Sequence, residues 1–62
     1  MTVFENIDNE IARQKTSRRK VAIAAGIAPS TFQSLMERKR GMSFEKLQKI
    51  AAVLNVSIDS LD

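Results

Sequence analysis

Apolar residues recur along the chain at helical spacing, interrupted by short polar or glycine-containing breaks. Phe4, Ile7 and Ile11 fall at i, i+3 and i+7, a narrow stripe on a first helix predicted to begin at Val3. Thr2 and Glu5 supply a T-x-x-E capping box for it, and the polar run Gln14-Lys15-Thr16 ends it. Val21, Ala22 and Ala25 mark a second helix over about 18–25, with Ser17 as its N-cap. The period resumes at Phe32, Leu35 and Met36, which predicts a third helix from near Pro29 to about residue 37. Ala28 is a poor cap for that helix, and Ser30 or Thr31 could cap it locally and shift its start. Ser43 caps a fourth helix, 44–54, whose stripe of Phe44, Leu47, Ile50, Ala51 and Leu54 is the longest in the chain. Asn55 suits its C-terminal end, and Ser57 can cap a closing turn from Ile58 to Leu61 that only packing would hold. The pattern predicts an all-α chain, a compact bundle of four or five short helices forming one domain over residues 1–62.

The break between the second and third stripes is the informative one. Gly26 stands there, where a left-handed backbone is cheap only for glycine. Ala22, one turn earlier, is small enough for a following helix to cross closely. Helix, glycine turn and helix is the pattern of a helix-turn-helix. Opposite its apolar stripe the third helix carries Ser30, Gln33 and Ser34. Gln can pair with adenine N6 and N7, and Ser bonds donors or acceptors alike. These residue types at this spacing point to reading of DNA base edges, with Gln33 in mid-face.

Charge strengthens that reading through its placement. The net charge is +3, yet residues 13–40 carry +7 while residues 1–12 carry −3 and residues 41–62 carry −1. Positive charge therefore brackets the two-helix stretch, as phosphate contact requires. Arg18, Arg19 and Lys20 occupy the first turn of the second helix, where the helix dipole disfavours cations by a few tenths of a kcal/mol. A phosphate is the partner that would reward them there. Arg38, Lys39 and Arg40 form a second basic group before Gly41.

Composition mainly excludes. With no cysteine and no histidine, a disulfide is impossible and a structural zinc site is not expected. The acids and serines form no spacing with a supporting base, so an enzyme is not expected, nor is a cofactor. No apolar run is long enough for a membrane span. These features point to a cytoplasmic protein of a bacterial cell, or one carried by a phage or mobile element.

The segments A-x-x-x-G-I, Ala22 to Ile27, and S-T-F-x-x-L, Ser30 to Leu35, resemble the Cro/phage-repressor type of helix-turn-helix domain. The stretch S-F-E-K-L-x-K-I-A-x-V-L-N-V-S-I-D-S-L, Ser43 to Leu61, resembles that family's fourth helix and closing turn, with no gap from Ser17 onward. The resemblance implies a lambda-repressor-like bundle whose third helix lies in the major groove. Carried over by position, Pro29, Ser30, Gln33 and Ser34 match base-facing residues. Ser17 and Arg18, joined by Arg19 on charge, match the phosphate clamp at the second helix. Lys39 and Arg40, joined by Arg38, match the loop that grips the backbone. The chain departs from the family's common glutamine at Arg18, glutamate at Met36 and glycine at Arg38, and Pro29 could read a base only through apolar contact.

The function expected is a sequence-specific regulator of transcription, a repressor, binding double-stranded DNA as a homodimer on a palindromic operator. Val53, Val56, Ile58 and Leu61 are the candidate dimer surface, being more apolar residues than so small a core is expected to hold. The same residues could instead take a protein partner, as in the DNA-binding antitoxin of a toxin–antitoxin pair.

Overall fold

Each helix of the chain starts where a side chain or a proline can begin one. In the computed structural model, which describes residues 2–62, five α-helices follow in order: α1 (Val3–Arg13), α2 (Arg18–Ala25), α3 (Pro29–Arg38), α4 (Phe44–Leu54) and α5 (Ile58–Leu61). The Thr2, Ser17 and Ser43 hydroxyls accept from the backbone N–H of Glu5, Lys20 and Lys46, capping α1, α2 and α4. The Glu5 carboxylate meets the Thr2 hydroxyl at 3.4 Å, so the box closes between side chains. α3 begins at Pro29 behind Ala28, which makes no side-chain cap; proline at the first position leaves one fewer N–H to satisfy. Neither Ser30 nor Thr31 shifts that start. Ser57 precedes α5, but its hydroxyl pairs with that of Ser60 at 3.0 Å and not with the helix backbone.

Left-handed residues close α2, α3 and α4. Gly26 has φ 74°, its N–H bonds to Ile23 O at 3.1 Å, and the Ile27 N–H bonds to Ala22 O at 2.9 Å. This paired bonding satisfies the last carbonyls of α2 and turns Ile27 back over Ala22. Asn55 repeats the device at the end of α4, with φ 56° and a Val56 N–H bond to Ala51 O at 3.1 Å. The sequence did not announce two further left-handed positions, Lys15 (φ 55°) and Lys39 (φ 56°). Both are ordinary side chains in a region that costs them roughly 1–2 kcal/mol.

The core unites the stripes. Ile7, Ala22, Phe32 and Ile50 are fully enclosed, one from each of the four longer helices. Each large apolar side chain so enclosed contributes about 1.5–3 kcal/mol of transfer free energy. α2 packs against α1, α3 and α4, so the element that precedes the turn is also the centre of the bundle. Ala22 at zero exposure is the small residue this closeness needs.

Two apolar residues depart from the periodic pattern. Phe44 stands in the α4 stripe by spacing yet is 65% exposed, because it is the first residue of the helix and has no facing element there. Leu61, expected among the dimer-surface candidates, is instead core at 1% exposure, and α5 packs on α1 and α4. Val53, Val56 and Ile58 are half-buried against the same core. The Asn6 side chain donates to Leu61 O at 2.9 Å and that of Gln14 to Leu54 O at 2.6 Å, fastening α1 to the C-terminal third of the chain.

Candidate nucleic-acid interface

α3 is amphipathic in the sense the sequence required. Phe32, Leu35 and Met36 are buried, and their burial against the bundle turns Ser30, Gln33 and Glu37 outward, with Ser34 and Pro29 half-buried. Ser30 and Ser34 lie one turn apart on a single face, as i and i+4 positions must. They line a shallow hollow of roughly 400 Å³ together with Thr31, Arg38, Arg40 and Lys46. The sequence pointed to four of these residues, Ser30, Ser34, Arg38 and Arg40. It did not single out Thr31, or Lys46, which α4 contributes from the turn capped by Ser43. The Lys46 signal was hidden because α4 reads as a scaffold helix; only its packing brings that first turn beside α3.

The basic residues divide by their partners. Arg38 is the last residue of α3, where a cation also complements the negative end of the helix dipole. It extends the helix one residue beyond its predicted end. Lys39 follows in the left-handed conformation, which breaks the helical path and aims the chain into the Arg40–Gly41 turn. Arg19, Lys20, Arg38, Lys39 and Arg40 are exposed and make no ion pair among the described residues. Their heads face solvent, where a cation can exchange water for phosphate.

Arg18 differs. Its Nε and Nη2 donate to the two carboxylate oxygens of Asp8 on α1 at 3.0 and 2.7 Å. Its Nη1 donates to Gln33 Oε1 on α3 at 3.2 Å. One side chain thus joins three helices. Asp8 explains within the chain why α2 tolerates an arginine in its first position: the carboxylate supplies the negative charge that the dipole favours there. Its hydrogen bonds hold the Arg18 guanidinium above its ordinary range, partial burial opposes this, and the Glu37 charge adds a smaller push upward. Three of the five guanidinium N–H groups are committed and two are free. Ser17, exposed beside it, accepts from Lys20 N–H and keeps its own proton for donation.

The geometry therefore supplies a helix with short polar side chains outward, a hollow lined by hydroxyls and cations along it, and further cations on the preceding helix. No described residues form a cluster of three or more metal-ligating side chains, and no described helix is long and apolar enough to cross a membrane. No curated protein and no solved structure matches the chain significantly. A model of the Cro/C1-type HTH DNA-binding domain matches residues 6–61, a span that takes in the α2–α3 unit and the closing turn alike. The resemblance carried by Ala22–Ile27, Ser30–Leu35 and Ser43–Leu61 is thereby extended into α1, and the chain belongs to the Cro/C1-type helix-turn-helix DNA-binding domain family.

Proposed function

We propose that this domain, taken as a single unit over the whole chain, is a sequence-specific repressor that binds double-stranded DNA as a homodimer on a palindromic operator. α3 enters the major groove, Ser30, Gln33 and Ser34 face base edges, and Pro29 offers an apolar surface to a thymine methyl. Ser17, Arg18, Arg19, Arg38, Lys39 and Arg40 grip the phosphates on either side. The observation that carries this reading is the flanking of one outward polar helix face by exposed cations free of carboxylate partners. Few base-facing side chains in one domain specify few base pairs, which is why two copies on a symmetric site are required. With Leu61 committed to the core, the surface left for a second copy near the C-terminus is Val53, Val56 and Ile58. Repression follows from occupancy of a promoter, in the cytoplasm of a bacterial cell.

Selection of bound sites from a random duplex pool tests this. The expected motif is twofold symmetric, with half-site centres about one helical turn apart, roughly 34 Å. Gln33→Ala should relax one position of each half-site. Recovery of an asymmetric single half-site would remove the dimer, and recovery of no motif would remove sequence-specific binding altogether.

A further inference from the structure

We infer that the Asp8–Arg18 pair sets which base Gln33 reads, by holding its amide so that only the NH2 group is offered to DNA and guanine is preferred to adenine. The inference rests on the proposal that α3 lies in the major groove. It goes beyond that proposal because Asp8 is on α1 and need not touch DNA.

The chemistry is one of donors and acceptors. A guanidinium has no acceptor, so the Gln33 atom 3.2 Å from Arg18 Nη1 must be the carbonyl oxygen, and the amide nitrogen is the end left free. An exposed glutamine otherwise turns freely about its side-chain bonds and can present either end. Arg18 could not hold it alone, since a long cationic side chain is itself mobile. Asp8 removes that freedom by taking Nε and Nη2 in a two-point contact at 3.0 and 2.7 Å, which leaves Nη1 directed at α3.

In the major groove, adenine presents an acceptor at N7 and a donor at N6, whereas guanine presents acceptors at both N7 and O6. Two-point pairing of glutamine with adenine needs the carbonyl oxygen turned to accept from N6, whereas the Arg18 bond takes one of its two lone pairs and holds that oxygen toward α2. The free NH2 has two protons, which match the two guanine acceptors. The adenine preference expected of an unconstrained glutamine is therefore replaced. Asp8 and Arg18 act here as positioning residues, one step and two steps removed from the base.

The test is selection of bound sites with the full chain, comparing the wild type with Gln33→Ala, Asp8→Asn, Asp8→Glu and Arg18→Met. The wild type should select guanine at one half-site position, and Gln33→Ala should erase that preference. Asp8→Asn should lower the ratio of guanine to adenine there by about tenfold, within the range that one base contact commands. Arg18→Met should do the same, with affinity lowered for every sequence by the lost phosphate contact but the preferences at other positions kept, and Asp8→Glu should keep guanine. A Gln33-dependent adenine in the wild type overturns the inference, as does an unchanged guanine in Asp8→Asn. A uniform loss over all positions also overturns it, since that would mean a merely structural role. A wild type that selects no motif overturns the DNA-reading proposal and this inference together. The free protein gives an independent readout. The Gln33 side-chain NH2 resonances should move in Asp8→Asn while those of exposed Gln48 stay, and unmoved Gln33 resonances would overturn the inference without any DNA.

Discussion

Replacing Lys39 with glycine should make the protein more stable and a poorer binder of DNA at once. Lys39 ends α3 with φ 56°, ψ 44°. The left-handed region costs a residue with a Cβ roughly 1–2 kcal/mol. Glycine removes that strain but gives the unfolded chain more freedom, which returns about 0.4–1 kcal/mol. The net gain expected is about 0.5–1 kcal/mol, read as a higher urea midpoint by circular dichroism with unchanged slope. Binding moves the other way. Each phosphate neutralised contributes about −0.9 to the slope of log affinity against log salt. Between 50 and 200 mM salt one lost contact per protomer is then worth about 3.5-fold in salt sensitivity. Titration of a labelled duplex across that range should give a slope shallower by about 0.9 for each protomer bound. A Lys39→Gly variant less stable than wild type would refute the strain argument. An unchanged salt slope would refute the phosphate contact.

Asp8→Asn should steepen the same slope by up to about 0.9, because the Arg18 charge, which Asp8 offsets in the wild type, then acts on its phosphate undiminished; competition against random-sequence duplex measures it. Phe32→Ala should cost about 3–5 kcal/mol and Phe44→Ala no more than about 0.5, by chemical denaturation, since the first is fully enclosed and the second is 65% exposed. The former is comparable with the whole stability of a chain this size, roughly 3–9 kcal/mol, so Phe32→Ala should be largely unfolded at 37 °C. Glu10, held below its ordinary carboxylate range first by hydrogen bonding from Arg13 and then from Gln14, should titrate below the usual glutamate value by NMR. A depressed carboxylate stabilises the fold above its unfolded value and loses that effect as pH falls through the folded value. Arg13→Ala should return most of the shift.

Most of the fold could be read from the sequence because it is specified locally. Thr2, Ser17 and Ser43 cap within three residues of themselves, Gly26 and Asn55 end helices by their own backbone preference, and Pro29 starts one. The stripes located nearly all of the core for the same reason. Phe44 broke the pattern because period records which face a residue is on, not whether a neighbour reaches that end of the helix. Leu61 broke it in reverse: residues far apart in the chain, Asn6 among them, close over it. The candidate interface was legible as a set of residue types, and α3 presents Ser30 and Gln33 outward as the spacing required. What could not be read was pairing between elements. Arg18 with Asp8 and Gln33, or Lys46 beside Arg38 and Arg40, depends on how helices pack and leaves no periodic trace.

The bond from Asn6 to the carbonyl of Leu61 brings together α1 and α5, the helices nearest the two ends of the described chain. A short flexible peptide joining them would turn the backbone into a ring. Closing a loop of this length removes about 4 kcal/mol of chain entropy from the unfolded ensemble in the loop-closure model. That is a large fraction of what so small a core can supply, and the closure leaves α2, α3 and every side chain on the outward face of α3 as they are. A cyclised form would therefore let the base-facing positions be varied freely, including toward residues that the linear chain could not tolerate and remain folded.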